Sequence, residues 1–208
     1  MKNFWMICLF WVGLMSAQTP FEKGMAQGLN LWKDGRNTEA VALFERISLV
    51  EKSQWLPRYY VALISTLQAF ETRDKAQWQA LVTKAQQCLD EAQSLSPNNA
   101  ELMVVQAFIY TAYLIIDPMT NGMTYSGKVM EQYAKAQLLA PDNPRVVYSR
   151  AEFEINGAKY WGTDTKPICE RIGQSLALFE KWKPETPFHP AWGYDRAQQS
   201  YEKCAAKK

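Results

Sequence analysis

Two stretches of this chain repeat one another. Ala92-Gln-Ser-Leu-Ser-Pro97-Asn-Asn99 and Ala136-Gln-Leu-Leu-Ala-Pro141-Asp-Asn143 carry Ala, Gln, Leu, Pro and Asn in register. Pro57 precedes the first copy and Pro184 follows the second, so a proline recurs at intervals of roughly forty residues. A period of that size is the mark of a helical repeat array, in which each unit buries its apolar face only by stacking on its neighbour. The constraint falls on architecture. It points to a scaffold that binds and leaves the ligand unspecified.

The first residues bear on where such a scaffold works. Lys2 precedes an uninterrupted apolar run from Phe4 to Met15, and Ser16-Ala17-Gln18 supplies small residues for cleavage. About a dozen apolar residues are too few to span a bilayer, so residues 1–17 are read as a cleaved secretory leader. Cys8 lies inside the run and lacks the small residues that a lipoprotein cleavage site needs. Residues 18–208 then form one helical repeat domain, with no later integral membrane segment, in the periplasm or outside the cell. Removing Lys2 from the 23 basic residues leaves 22 against 21 acidic ones. They are scattered singly, which argues against a nucleic-acid partner.

Helix boundaries follow from residue chemistry. Proline is tolerated in the first turn of a helix but not in its interior, and Asn or Asp caps a helix start. The strings Ser96-Pro97-Asn98-Asn99 and Ala140-Pro141-Asp142-Asn143-Pro144 therefore end one helix and begin another. Coarse boundaries are 21–34 with 37–51, 57–72 with 75–95, 99–116 with 125–140, 144–158 with 165–182, and a last helix at 190–206. Ala85, Leu89, Ala92 and Pro97 fit the second-helix pattern of tetratricopeptide repeats, and Val129, Tyr133, Ala136 and Pro141 fit it with one substitution. Gly28, Leu31, Gly35, Ala40 and Phe44 match its first-helix and turn positions. The chain thus resembles that family, which implies an all-α fold: a right-handed α-solenoid of about four helix pairs plus a C-terminal capping helix. A HEAT-type solenoid has a similar period and is the alternative. Asp142-Asn-Pro-Arg145, Tyr160-Trp161-Gly162 and His189-Pro-Ala-Trp192-Gly193 also look like a group of exported, tetratricopeptide-containing proteins of Bacteroidetes-type bacteria. Those relatives often carry a glycine run where this chain has Gly162-Thr163-Asp164.

Two surfaces are candidates for binding. The resemblance carries groove positions onto Trp32, Phe108, Arg145, Tyr148, Glu152 and Asn156, the last four spaced three or four apart on one helix face. Arg145 beside Tyr148 suits a peptide carboxylate, and an intrahelical network with Glu152 is the alternative. The second surface is a loop edge. Residues 117–125 are rich in turn formers, residues 159–165 carry Tyr160 and Trp161, and equivalent loops of stacked repeats emerge side by side.

Cys88, Cys169 and Cys204 follow the leader. Cys169 and Cys204 lie almost equally far from the midpoint of the Pro184–Pro190 turn, so an antiparallel hairpin brings them level for a disulfide. Cys88, beside core position Leu89, reads as a small buried apolar residue. His189 is the lone histidine, with no second histidine or close cysteine pair to make a zinc site. No nucleophile–base arrangement and no phosphate loop are present, so neither catalytic residues nor a cofactor are expected. The expectation is a non-catalytic adaptor for a protein or peptide of unknown identity, bound in the groove or along the loop edge. The alternative is a periplasmic small-ligand carrier with a pocket walled by Tyr160, Trp161 and the Met119–Tyr125 segment.

Overall fold

Capping residues set the helix starts. In the computed structural model, which describes residues 18–205, Thr19 accepts from the Glu22 amide at 3.2 Å while the Glu22 carboxylate accepts from the Thr19 amide at 2.7 Å. This reciprocal pair satisfies two otherwise orphaned donors. Asp74, Asn99, Asp117 and Asn143 each accept a backbone N–H in the same way. The nine helices among the described residues are α1 (Pro20–Lys33), α2 (Asn37–Val50), α3 (Trp55–Glu71), α4 (Lys75–Leu95), α5 (Ala100–Ile116), α6 (Pro118–Leu139), α7 (Pro144–Trp161), α8 (Lys166–Lys181) and α9 (Tyr194–Ala205). The leader assigned to residues 1–17 lies outside the described residues.

The fold is all-α. α1 packs with α2, α3 with α4, α5 with α6 and α7 with α8, and α9 closes on α8. First helices also meet one another, α3 with α5 and α5 with α7, as stacking requires. Small residues let backbones approach: Ala40, Ala85, Ala92 and Ala136 are fully buried, beside Phe44, Leu89 and Tyr133. Gly28 is required by its neighbour, because a Cβ there would lie 2.6 Å from the Phe44 ring. The core runs as three contiguous clusters along the stack, the first under α1–α5, the second under α5–α7 and the third under α7–α9.

Three boundaries differ from expectation by three residues or more. α7 runs to Trp161 rather than residue 158, so Tyr160 and Trp161 of the expected 159–165 loop are its last turn. α6 begins at Pro118 rather than near residue 125, so the expected 117–125 loop is the first turns of a helix. Asp117 caps it by accepting from the Thr120 amide at 3.2 Å, and Pro118 occupies its first turn. α9 begins at Tyr194 rather than residue 190, because residues 183–193 form an irregular strap.

Candidate functional site

The strap fills the groove. Phe188 meets Phe21 of α1 with ring centroids 6.0 Å apart, and its carbonyl accepts from the Tyr60 hydroxyl at 2.8 Å. His189 stands edge-on to Trp55 at 5.7 Å, and Trp192 donates its indole N–H to the Tyr59 hydroxyl at 2.8 Å. Trp192 also lies 6.0 Å from Phe108, ring to ring. α1, α3 and α5 thus present their aromatic side chains to the chain's own residues. Burial, then the charge of Glu101, holds the Tyr59 phenol well above its ordinary pKa.

Arg145 is the centre of this closure and not a surface group. Its side chain has 0% exposure, and Glu101 accepts from its Nη2 at 2.6 Å and from Nε at 2.9 Å. The Asn143 side-chain amide donates to the same carboxylate at 2.6 Å. The guanidinium stacks 4.6 Å from the Trp182 ring centroid and 5.9 Å from that of Trp192. A peptide carboxylate has no access here, which corrects the expected role of Arg145 and its alternative pairing with Glu152. Glu101 was missed from the sequence although a signal existed. It stands two residues after the capping Asn99, as Arg145 stands two after Asn143, so the repeat puts opposite charges at equivalent positions of stacked helices.

The other groove candidates are also engaged. Trp32 packs edge-on to Tyr60 at 5.7 Å, Phe108 is covered by Trp192, and Tyr148 is buried with its hydroxyl 3.3 Å from that of Ser200. Glu152 is half-buried, close enough to Tyr133 and Tyr148 that its charge raises both phenols' pKa after burial has done so. Asn156 is exposed and donates to the Glu152 carbonyl at 2.9 Å. The structure brings these residues into the interior or its margin and assembles no open peptide groove from them.

The edge at the far ends of α5 and α7 is different. Met119 and Met123 on α6 are 95% and 96% exposed, and Tyr160 and Trp161 on α7 are 78% and 77% exposed. Tyr160 and Trp161 stand edge-to-face, 4.8 Å apart, just before Gly162 ends the helix with a left-handed φ of 66°. Tyr125 turns away from this group and stacks on Tyr113 at 4.9 Å. Leu49, Val50 and Leu138 are exposed to a similar degree elsewhere on the chain. A separate open groove of about 650 Å³ runs between α2 and α4, lined by the 2.7 Å Lys84–Glu45 ion pair together with Ala76, Ala80 and Cys88.

Cys169 and Cys204 form a disulfide that ties the start of α8 to the end of α9. Cys88 is free and half-buried, its thiol pushed up to about 11 by burial and then by Glu91 and Glu45. It stays protonated and unreactive at neutral pH. His189 accepts or donates through Nδ1 with the Thr186 hydroxyl at 2.8 Å. No group of three or more His, Cys, Asp or Glu among the described residues is arranged to hold a metal ion, and no helix there is long and apolar enough to cross a membrane.

Neither a family model nor a curated protein matches the chain, so the likeness to tetratricopeptide repeats remains one of pattern. Among solved structures, the HusA haemophore from Porphyromonas gingivalis is similar with a TM-score of 0.81 at 23% sequence identity, over 93% of this chain and 97% of that one. The adaptor expectation is corrected by these findings together: the groove, one of its two candidate surfaces, is filled, residues 118–125 of the other are helix, and a structure sharing the fold from end to end is a haemophore.

Proposed function

We propose that this chain is an exported carrier of a small, flat, largely apolar ligand, with haem as the first ligand to test. The observation that carries the reading is the end-to-end superposition on a haemophore, in which almost the whole of both chains takes part. The apolar edge supplies the chemistry such a carrier needs. Thioethers at Met119 and Met123 are polarizable and adapt to a flat face, and the rings of Tyr160 and Trp161 offer stacking surface. The leader at residues 1–17 would take the protein out of the cytoplasm. A carrier makes and breaks no covalent bond, in keeping with the lack of any nucleophile–base arrangement in the sequence.

The test is a titration of the processed protein with haemin, followed by the haem absorption band and by tryptophan fluorescence. Saturable spectral change with quenching, at a fixed stoichiometry, is the expected result. Spectra that remain the sum of the two components would contradict the reading.

A further inference from the structure

The last helix has few non-covalent contacts to hold it. Among residues 194–204 of α9 only Ala197 is buried, and it offers the core one methyl group. The Tyr201 ring lies over Gly173 of α8, where a Cβ would come within 2.8 Å of it, yet Tyr201 stays exposed. Tyr194, also exposed, stands edge-on to Phe179 at 6.1 Å, and the Ser200 hydroxyl lies 3.3 Å from that of Tyr148. A helix of 12 residues is too short to persist in water without docking. The Cys169–Cys204 disulfide reinforces these contacts, at the end of α9 far from the strap.

The same bond governs the strap. Residues 183–193 lie between the two cysteines, so with the bond intact α8 fixes one end of the strap and α9 the other. Pro190 is the strap's only buried residue, while Phe188, His189 and Trp192 are half-buried. Its hydrogen bonds to its surroundings are those of Tyr60 to the Phe188 carbonyl, Trp192 to the Tyr59 hydroxyl, and Trp182 to the Pro190 carbonyl at 3.2 Å. A segment pinned at both ends gains less chain entropy on leaving its seat than one pinned at a single end. With the bond cut, everything after α8 becomes a free C-terminal tail, and its release gains the conformational freedom of each residue.

We infer that the Cys169–Cys204 disulfide is a redox latch on the concave groove. Oxidised, it holds α9 on α8 and the strap over Phe21, Trp55, Tyr59, Tyr60 and Phe108. Reduced, residues 183–205 leave as one unit and uncover that aromatic face. The reaction is exchange with a dithiol. Two electrons and two protons enter, the S–S bond breaks, Cys169 and Cys204 become thiols, and the dithiol leaves as its own disulfide. Both cysteines are half-buried, at the margin of the third core cluster rather than inside it, and access is what such an exchange requires. The latch stands on these contacts and not on the carrier reading.

The test is limited trypsin digestion of the processed protein under native conditions. It compares oxidised protein, protein reduced with dithiothreitol, and a Cys169→Ser/Cys204→Ser variant. Cleavage between Arg196 and Ala197 reports the opening of α9, because that bond lies at its one buried residue. Reduced protein and variant should be cut there on the order of 100-fold faster than oxidised protein, the factor that opening a loop of this size implies. Sites within α1–α7 should stay intact on that timescale, and fluorescence of added anilinonaphthalene sulfonate should rise as the aromatic face is uncovered. Cleavage at Arg196 no faster after reduction would show that the non-covalent contacts suffice and overturn the latch. Acceleration spread equally through α1–α7 would make the bond a support of the whole fold and overturn it too. Selective cleavage at Arg196 without a rise in dye fluorescence would show that α9 leaves while the strap stays, and would overturn the opening of the groove. If the variant does not fold, dithiothreitol added to folded wild type decides between these results.

Discussion

Two regions of this molecule start from the same repeat and end in opposite states. At the N-terminal ends of α3, α5 and α7, aromatic and charged residues are buried under the strap and their polar atoms meet: Tyr60 with the Phe188 carbonyl, Trp192 with Tyr59, Arg145 with Glu101. At the edge that carries Met119, Met123, Tyr160 and Trp161, comparable apolar side chains stand in water. The concave groove, where a helical array is expected to bind, is spent on the fold. The exposed edge is where the proposed ligand would bind.

Changes in the closed region should therefore cost stability, and changes at the open edge should cost binding. The largest stability effect is expected for Glu101→Ala, which strands a fully buried guanidinium; breaking such a pair costs about 3–5 kcal/mol. Chemical denaturation measures it, and a Glu101→Leu/Arg145→Met double variant should recover much of the loss. A Glu101→Ala protein as stable as wild type would remove the distinction between the regions. Next in size, replacing Cys169 and Cys204 by serine opens a loop of sequence separation 35 and should cost about 3–4 kcal/mol by the chain-entropy estimate. Reductant should lower the melting temperature of wild type and leave that double variant unmoved.

Alkaline pH separates the regions in another way. Burial raises the folded-state pKa of Tyr59, Tyr60 and Tyr133 above the ordinary value of 10.0. A raised pKa in the folded state gives stability that is complete below pH 10 and is lost as pH rises past it, by about 1.4 kcal/mol per pH unit for each phenol. Stability measured against pH should be flat approaching 10 and fall beyond it. The smallest effect on stability is expected for Trp161→Ala, within about 0.5 kcal/mol because the side chain is mostly exposed. The same change should reduce ligand-induced fluorescence quenching, so the two readouts move independently.

Much of the architecture was legible because local chemistry repeats. Asn99 and Asn143 cap helices as their type suggests, and the small residues Ala40, Ala85, Ala92 and Ala136 mark the close helix contacts. The start of α6 differs from expectation because Asp-Pro serves equally as a turn and as a cap followed by a first-turn proline, and Asn121-Gly122 tilts the balance toward a loop. The closed groove was not legible. It depends on a strap with partners more than a hundred residues away, such as Tyr60 with Phe188 at a separation of 128, and no local pattern encodes that pairing. The open edge was legible only as composition. Tyr160 and Trp161 stood out as aromatic, but that they stay exposed is a property of the packed fold.

The most direct test of this division is a map of where a ligand touches. The processed protein, labelled at methionine methyls and tryptophan indoles, would be titrated with protoporphyrin and followed by NMR. The largest shifts are expected at Met119, Met123 and Trp161, with Trp182 and Trp192 unmoved. Shifts concentrated at Trp32, Trp55 and Trp192 would contradict it, because they would mean that the strap gives way and the groove is the binding site after all.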